Sequence, residues 1–183
     1  MTTIEDVALT HPDVSQAREF RLGAETAVAV VPAVFSSAVE IRNHVWEQLG
    51  DGDPVLVALV DEIPGDPAAL ASIVAGLDGT QVSRYTEPDG GLEVALRDIM
   101  AETVPASRIG VLDDFIDLGG DSLSAVQLST LIQERLGVSL RLETVFEAST
   151  VRGLATAVRT EAEVAGVVLP GAVPSGTARA GRR

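Results

Sequence analysis

The spacing of the apolar residues changes midway along this chain, and that change limits the fold to two unlike units. Before residue 78, segments 14–22 and 27–31 have the composition of strands, and the continuous apolar run Val55–Val60 predicts a third strand that is covered on both faces. After residue 90, apolar residues recur at intervals of three and four, which is typical of one-faced helices. We therefore expect a mixed α/β unit followed by an all-helical one.

The stretch between the two patterns is dominated by Asp, Gly, Thr, Ser, Glu and Pro, and it predicts a linker at 78–90. The fold class is therefore α+β, with a small α/β N-terminal subdomain of about three strands with helices (1–77) and an all-α four-helix bundle (91–165). The tail, 166–183, is rich in Pro and Gly and is predicted to be disordered. Helices are predicted at 3–9, 37–49, 66–77, 92–104, 122–136, 143–147 and 150–163.

Composition excludes several classes of function. A net charge of -14 argues against a nucleic-acid partner and suits a basic protein partner better. No apolar run approaches the length of a membrane span and no signal peptide is seen, so we expect a cytosolic protein without a membrane partner. The chain has no cysteine, so any thiol must be imported, and two histidines, His11 and His44, predict no metal site.

Ser122 follows a loop that is too apolar for a free linker. Val111, Phe115 and Leu118 are predicted to pin this loop to the core, and a helix restarts at Ser122. A serine hydroxyl needs a base to become a nucleophile, and no histidine lies near it in the sequence, so we expect no catalytic residue here. Taken alone, Gly-Asp-Ser at a helix start favours a capping role for Ser122 or Asp121.

The wider context resembles the peptidyl carrier (thiolation) domains of nonribosomal peptide synthetases. The segment "DFIDLGGDSL" at 114–123 matches their attachment motif, and the resemblance extends over about residues 91–163. It implies that a separate phosphopantetheinyl transferase attaches 4′-phosphopantetheine from coenzyme A to Ser122, with Gly120, Asp121 and Leu123 completing the cofactor site. The thiol of that arm would hold acyl intermediates as thioesters.

The physical setting of Ser122 fits this implication. A helix N-terminus tolerates a phosphodiester because its amide groups and dipole are positive there. Gly119 and Gly120 either let a modifying enzyme approach closely or serve only a tight turn.

The helix that starts at Ser122 has two faces. Its core face is predicted to carry Ala125, Leu128, Leu131 and Ile132. Leu123 and Val126 point away from that face, so we predict that they dock partners together with Val145 and Phe146 of the next helix. Alternatively, Leu123 and Val126 pack beneath that short helix.

The N-terminal unit resembles the small C-terminal subdomain of amino-acid adenylation domains. The resemblance rests on four segments in family order: "IEDVALTHPDVSQAREF", "AVAVVP", "VEIRNHVWEQL" and "PVLVALVDEIPGDPAAL". Two features of the family are missing, namely the hinge motif before Ile4 and the Gly-Lys segment after Ile63-Pro64. All 13 basic residues of the chain are arginine, so no lysine replaces the one that binds the acyl-adenylate in that family.

These resemblances together imply a peptidyl or aminoacyl carrier of nonribosomal peptide (antibiotic) biosynthesis that has no catalytic activity of its own. Its expected partners are the transferase, a trans-acting adenylation enzyme, and condensation or tailoring enzymes. The adenylation-like remnant is expected to be a structural shoulder, a docking surface or the trace of a lost domain. The alternative for the whole chain is an unmodified interaction or scaffold module, and both an amino acid and an aryl acid stay open as cargo.

Overall fold

The computed structural model describes residues 3–50, 55–106 and 108–169, and it confirms an α/β unit followed by a helical unit. The first unit contains α1 (Ile4–Ala8), β1 (Val14–Leu22), β2 (Glu25–Pro32), α2 (Ala38–Leu49), β3 (Leu56–Leu59), α3 (Pro67–Ala75) and β4 (Val82–Ser83). The second contains α4 (Gly91–Ala101), α5 (Ser122–Leu136), α6 (Leu142–Ala148) and α7 (Val151–Ala165).

The N-terminal unit is built on a four-stranded sheet in the order β1-β2-β3-β4. β1 and β2 form an antiparallel pair, whereas β2 and β3 are parallel because α2 crosses over between them. Successive residues of a strand face opposite sides, so Val28 and Val30 pack under α1 and α2, while Ala27 and Ala29 face α3. The central strands are therefore buried on both faces, as the run 55–60 predicted.

The predicted linker is partly a strand. Val82 and Ser83 pair antiparallel with Ala58 and Val57, and they add β4 to the edge of the sheet. Two residues are too few to show an alternating pattern, so the sequence predicted three strands where the structure has four. The end of the same stretch lies against the helical unit, since the Thr86 carbonyl accepts a hydrogen bond from the Val111 amide at 2.9 Å.

The four helices of the second unit enclose one apolar core, to which the loop before α5 contributes. Val111, Phe115 and Leu118 are buried in it, as predicted. Two backbone hydrogen bonds fix the loop to the end of α6 and the start of α7. The Phe115 amide donates to the Ser149 carbonyl, and the Arg152 amide donates to the Val111 carbonyl. Ser122 therefore follows a loop that is fixed on the bundle.

The start of the tail differs from the prediction of disorder. Val167 and Leu169 pack against the core of the helical unit, and the Val167 amide donates to the Ala162 carbonyl. Residues 170–183, where the rest of the predicted disordered tail falls, lie outside the described residues. Within the described ranges, no helix is both long enough and apolar enough to cross a membrane.

Candidate attachment site at Ser122

Ser122 is the first residue of α5, and the helix is capped by its neighbours Asp121 and Ser124. Asp121 is the N-cap, and its carboxylate accepts the Ser124 amide at 2.8 Å. The Ser124 hydroxyl in turn accepts the Asp121 amide at 2.7 Å, which completes a capping box. Of the two residues proposed as caps, Asp121 therefore has that role. Ser122 is exposed, and its hydroxyl makes no hydrogen bond to any other described residue.

Asp121 contributes a negative charge at the start of α5. The hydrogen bonds that it receives from the Ser124 amide and hydroxyl lower the pKa of the Asp121 carboxyl, so that it is anionic at neutral pH. Its charge lies at the positive end of the α5 dipole, which is a favourable position for an anion. The same position favours a phosphodiester on the next residue.

The two glycines before Asp121 are required by the turn. Gly119 has a φ of 86°, and a side chain there would come within 2.8 Å of the Pro105 ring. A Cβ on Gly120 would lie 2.5 Å from the ring and the carbonyl oxygen of Phe115. The tight-turn alternative therefore accounts for both residues. As a consequence, residues 119 and 120 present only backbone atoms next to the site.

The predicted docking residues divide into exposed and buried ones. Leu123 is 77% exposed and Val126 is also exposed, so neither packs beneath α6. Phe146 is exposed too, with its ring edge toward Phe115 at a centroid distance of 6.5 Å.

Val145 is a correction to the predicted docking set. It is 1% exposed and belongs to the apolar core, so it offers no surface to a partner. Over the seven residues of α6, the sequence pattern does not decide which of two adjacent apolar residues faces inward.

Sequence reasoning missed two exposed apolar residues in the loop before Ser122. Leu112 and Ile116 are each 53% exposed in the loop that leads to Ser122, and they flank buried positions of that loop. Their signal was the apolar character of the loop itself. Because buried Val111 and Phe115 explained it, the exposed neighbours did not stand out.

The site fits a covalently attached prosthetic group. Attachment to a serine requires a free, accessible hydroxyl and room for a partner enzyme, and Ser122 offers both. The site lies at an exposed helix start, and Ser122 does not line the cleft of about 1130 Å³ between the two units. Among the described residues, those that would hold such a group are Ser122 through its hydroxyl, with Asp121 and Leu123 beside it.

Ser122 is thus an exposed serine at the start of the second of four helices that enclose one core. Residues 94–158 match the protein family described as "Phosphopantetheine attachment site", so this chain contains a phosphopantetheine carrier domain. The curated proteins that it matches include nonribosomal peptide synthetases, so the domain is similar to the peptidyl carrier domains of such enzymes, and its family is described by the attachment of phosphopantetheine.

Two curated relatives cover both units. The chain is 35% identical over 162 residues to the dimodular nonribosomal peptide synthase of Bacillus subtilis (strain 168), which covers 83% of this chain and 7% of that protein. It is 43% identical over 144 residues to the malpinin synthetase of Mortierella alpina, covering 75% of this chain and 2% of that protein. The chain thus spans less than a tenth of the length of these relatives.

A solved structure matches less than half of this chain. It contains the phosphopantetheine transferase Sfp in complex with coenzyme A and a peptidyl carrier protein. The match has 32% identity and a TM-score of 0.40, and it covers 42% of this chain and 99% of that one.

The junction between the two units is the other polar feature that sequence reasoning missed. Arg42 of α2 is fully buried and forms two hydrogen bonds to the Asp113 carboxylate of the carrier loop, at 2.8 and 2.6 Å. The signal was present, because Arg42 lies three residues after Val39 and four before Trp46 on the apolar stripe of α2. Pattern reasoning treats a charged residue as exposed, so this one was passed over.

Proposed function

We propose that Ser122 is the residue that carries 4′-phosphopantetheine and that the chain is a peptidyl or aminoacyl carrier of nonribosomal peptide biosynthesis. The observation that carries this proposal is the Ser122 hydroxyl, which is exposed and unused at a helix start that Asp121 already caps. The bound arm supplies a thiol that holds an acyl group as a thioester. The chain's own residues supply the attachment point and the rigid loop before it.

Loading is expected to occur in trans. The chain has no lysine for an acyl-adenylate, and its adenylation-like unit is a small sheet with three helices. The partners are then a phosphopantetheinyl transferase, a separate adenylation enzyme, and condensation or tailoring enzymes, in the cytoplasm where coenzyme A is available. Leu123, Val126 and Phe146 form the surface on which these enzymes are expected to dock, because they are apolar and exposed near Ser122.

Intact-protein mass spectrometry tests the attachment. After incubation with coenzyme A and a broad-specificity transferase, the wild-type chain should gain one phosphopantetheinyl group, and Ser122→Ala should gain none. Ser139→Ala is the matched control, since Ser139 is another exposed serine of the carrier unit, and it should be modified like the wild type. If folded wild-type protein gains no mass, the chain is an unmodified interaction module and the proposal fails.

A second mass measurement tests loading in trans. The phosphopantetheinylated chain incubated with ATP, Mg²⁺ and a mixture of amino and aryl acids should show no acyl mass gain until an adenylation enzyme is added. An acyl gain without added enzyme would contradict this part of the proposal alone.

The N-terminal unit is part of the proposal as a fixed shoulder of the carrier. The Arg42 guanidinium is enclosed by the Asp113 carboxylate and the Ser83 hydroxyl, and the Asp113 carboxylate also accepts the Gly110 amide at 2.7 Å. Both terminal nitrogens of the Arg42 guanidinium are hydrogen-bonded, whereas its buried Nε has no hydrogen-bond partner. Separating the units would leave a buried charge without its counter-charge, which is costly, so the pair opposes their separation.

Packing around this pair supports the same role. Val39 of α2 is buried in the apolar core of the carrier. The Trp46 ring lies between Tyr85, at a centroid distance of 4.7 Å, and the Arg108 guanidinium, at 4.3 Å. Elements of both units and of the segment between them therefore meet at one junction, and the carrier is expected to move together with the N-terminal unit.

Nuclear magnetic resonance relaxation tests this rigidity. Backbone ¹⁵N relaxation of the wild type should give one rotational correlation time for both units, whereas Arg42→Ala should give a shorter one for the carrier. Arg84→Ala is the control, because the Arg84–Glu25 pair is exposed and lies within the N-terminal unit. Different correlation times in the wild type would rule out the shoulder.

A further inference from the structure

Three potential metal ligands come together on the N-terminal unit, away from Ser122. His11 and Asp13 lie in the turn between α1 and β1, and Glu40 lies in the first turn of α2. One ligand atom from each of them lies within 4.8 Å of the others. The sequence predicted no metal site because it offers only two histidines and no cysteine. Glu40 is distant along the chain from His11 and Asp13, and the packing of α2 beside the turn brings it to them.

His11 is held in place for such a role. It is 7% exposed, and the turn around it is closed by a hydrogen bond from the Val14 amide to the His11 carbonyl. Its ring nitrogen Nδ1 accepts the Asp13 amide at 3.2 Å, near the long end of the range for a hydrogen bond. This hydrogen bond therefore engages Nδ1 only weakly.

The second histidine of the chain supports the first. The His44 ring stands edge-on to the His11 ring at a centroid distance of 4.9 Å, and His44 Nε2 is 2.8 Å from the Thr10 hydroxyl. The His44 ring therefore packs against the His11 ring and helps to fix its orientation.

The two carboxylates of the cluster lack a cation. Within the described ranges, neither Asp13 nor Glu40 has a side-chain hydrogen bond or an arginine within ion-pair distance. Two like charges held this close repel each other, and a bound divalent cation would reverse that repulsion. By contrast, the carboxylate of Glu25, elsewhere in the N-terminal unit, forms an ion pair with Arg84.

We propose that His11, Asp13 and Glu40 bind one divalent first-row transition-metal ion, with Zn²⁺ as the best fit. One imidazole nitrogen and two carboxylate oxygens are ligands that zinc accepts, and a water molecule completes a tetrahedral site. Tetrahedral bonds of about 2.0–2.2 Å place the ligand atoms roughly 3.4 Å apart, so the cluster must contract on binding. Glu40 is exposed and can supply that movement by changing its rotamer.

The effect of the metal would be structural. It would join the turn before β1 to α2, and α2 also carries Arg42 of the junction. Binding to the folded chain alone stabilises it in proportion to the logarithm of the metal concentration. Zinc would therefore strengthen the helix that holds the carrier.

Isothermal titration with Zn²⁺ on the full chain tests the site. The wild type should bind one equivalent of Zn²⁺. Glu40→Gln should raise the dissociation constant by about tenfold or more, since it removes the charge of one ligand. Glu161→Gln, an exposed glutamate on α7, is the matched control and should bind like the wild type. His11→Gln should also weaken binding, but Glu40→Gln decides the matter because an exposed residue can be changed without loss of folding.

A thermal readout accompanies the titration. Zn²⁺ should raise the Tm of the wild type and of Glu161→Gln, and EDTA should reverse the rise, whereas the Tm of Glu40→Gln should not respond. The proposal is overturned if the wild type takes up no Zn²⁺ at roughly 100 µM, the concentration at which even weak extracellular calcium sites begin to fill. It is equally overturned if Glu40→Gln binds as tightly as Glu161→Gln.

Discussion

The two units treat their polar groups in opposite ways. The carrier unit places its reactive group outside, with the Ser122 hydroxyl exposed at the start of α5 on a loop whose apolar side chains are buried. The N-terminal unit places its most costly group inside, with the Arg42 guanidinium enclosed where the two units meet. A group that must meet other enzymes stays in water, whereas a buried charge is tolerated only where a partner of opposite charge is fixed.

The two units also depend on each other to different degrees. The carrier has an aliphatic core of its own, although Val39 of α2 contributes to it. The carboxylate that pairs with the buried Arg42 belongs to Asp113 of the other unit. We therefore expect the N-terminal unit to lose more stability than the carrier when the junction is broken.

The largest expected effect is at the junction. Arg42→Ala leaves the Asp113 carboxylate buried without its partner and should lower the free energy of unfolding by about 3–5 kcal/mol. Arg84→Ala removes an exposed ion pair, with side chains 55% and 47% exposed, and should cost at most about 1 kcal/mol. Urea unfolding followed by the fluorescence of Trp46, the single tryptophan, measures both.

The double variant Arg42→Met with Asp113→Leu sharpens this test. Because it removes both charges, it should recover most of the stability that Arg42→Ala loses. Equal losses for Arg42→Ala and Arg84→Ala would mean that the junction contributes no more than a surface pair, and the contrast between the units would disappear.

A smaller effect is expected from the turn before Ser122. A methyl group on Gly120 would overlap Phe115, so Gly120→Ala should lower the free energy of unfolding by about 1–3 kcal/mol. Gly65→Ala in the N-terminal unit has open space around it and should change the stability by less than about 0.5 kcal/mol. Thermal unfolding measures the stability of both variants. If Gly120→Ala leaves the stability unchanged, the loop can shift to accommodate the methyl group and the glycine is not required there.

A modest, pH-dependent effect is expected from Glu93. The hydrogen bond from Arg152 lowers the pKa of the buried Glu93 carboxyl, and burial opposes that shift in part. Because the folded pKa lies below the ordinary value of 4.5, the stabilisation is present above that value and is lost as the pH falls below it toward the folded pKa.

Glu93→Gln is the variant that measures this contribution. It should cost about 1 kcal/mol or less at pH 7, since Arg152 is partly exposed. It should also reduce the slope of stability against pH below about pH 4.5, as measured by urea unfolding from pH 7 to pH 3. An unchanged slope would exclude Glu93 as a source of acid sensitivity in the carrier.

The smallest effect on stability is expected at the docking surface. Leu123 is largely exposed, so Leu123→Ser should change the free energy of unfolding by less than about 0.5 kcal/mol. The kcat/KM for phosphopantetheinylation should nevertheless fall several-fold. Val164→Ser removes an equally exposed apolar residue from α7 and should leave that rate unchanged. Equal rates for the two variants would remove Leu123 from the docking surface.

Local elements were predictable because their signals are local. The predicted strand 14–22 and helix 122–136 coincide with β1 and α5, and the helix at 66–77 differs from α3 by only one or two residues at each end. Hydrophobic periodicity, Asp66 before Pro67 and a glycine after Leu136 are enough to mark these segments. In contrast, β4 was missed because two residues acquire strand geometry only by pairing with β3.

The sequence by itself determined the helix start at Ser122, the apolar faces of the helices and the absence of a lysine. Each of these depends on residue identity or on spacing within one element. Tertiary structure alone decided that Val145 is core, that Arg42 meets Asp113 and that His11, Asp13 and Glu40 share one site. These outcomes depend on which distant segments pack together, and the energy of a charge or a ligand is set by the neighbours that such packing supplies.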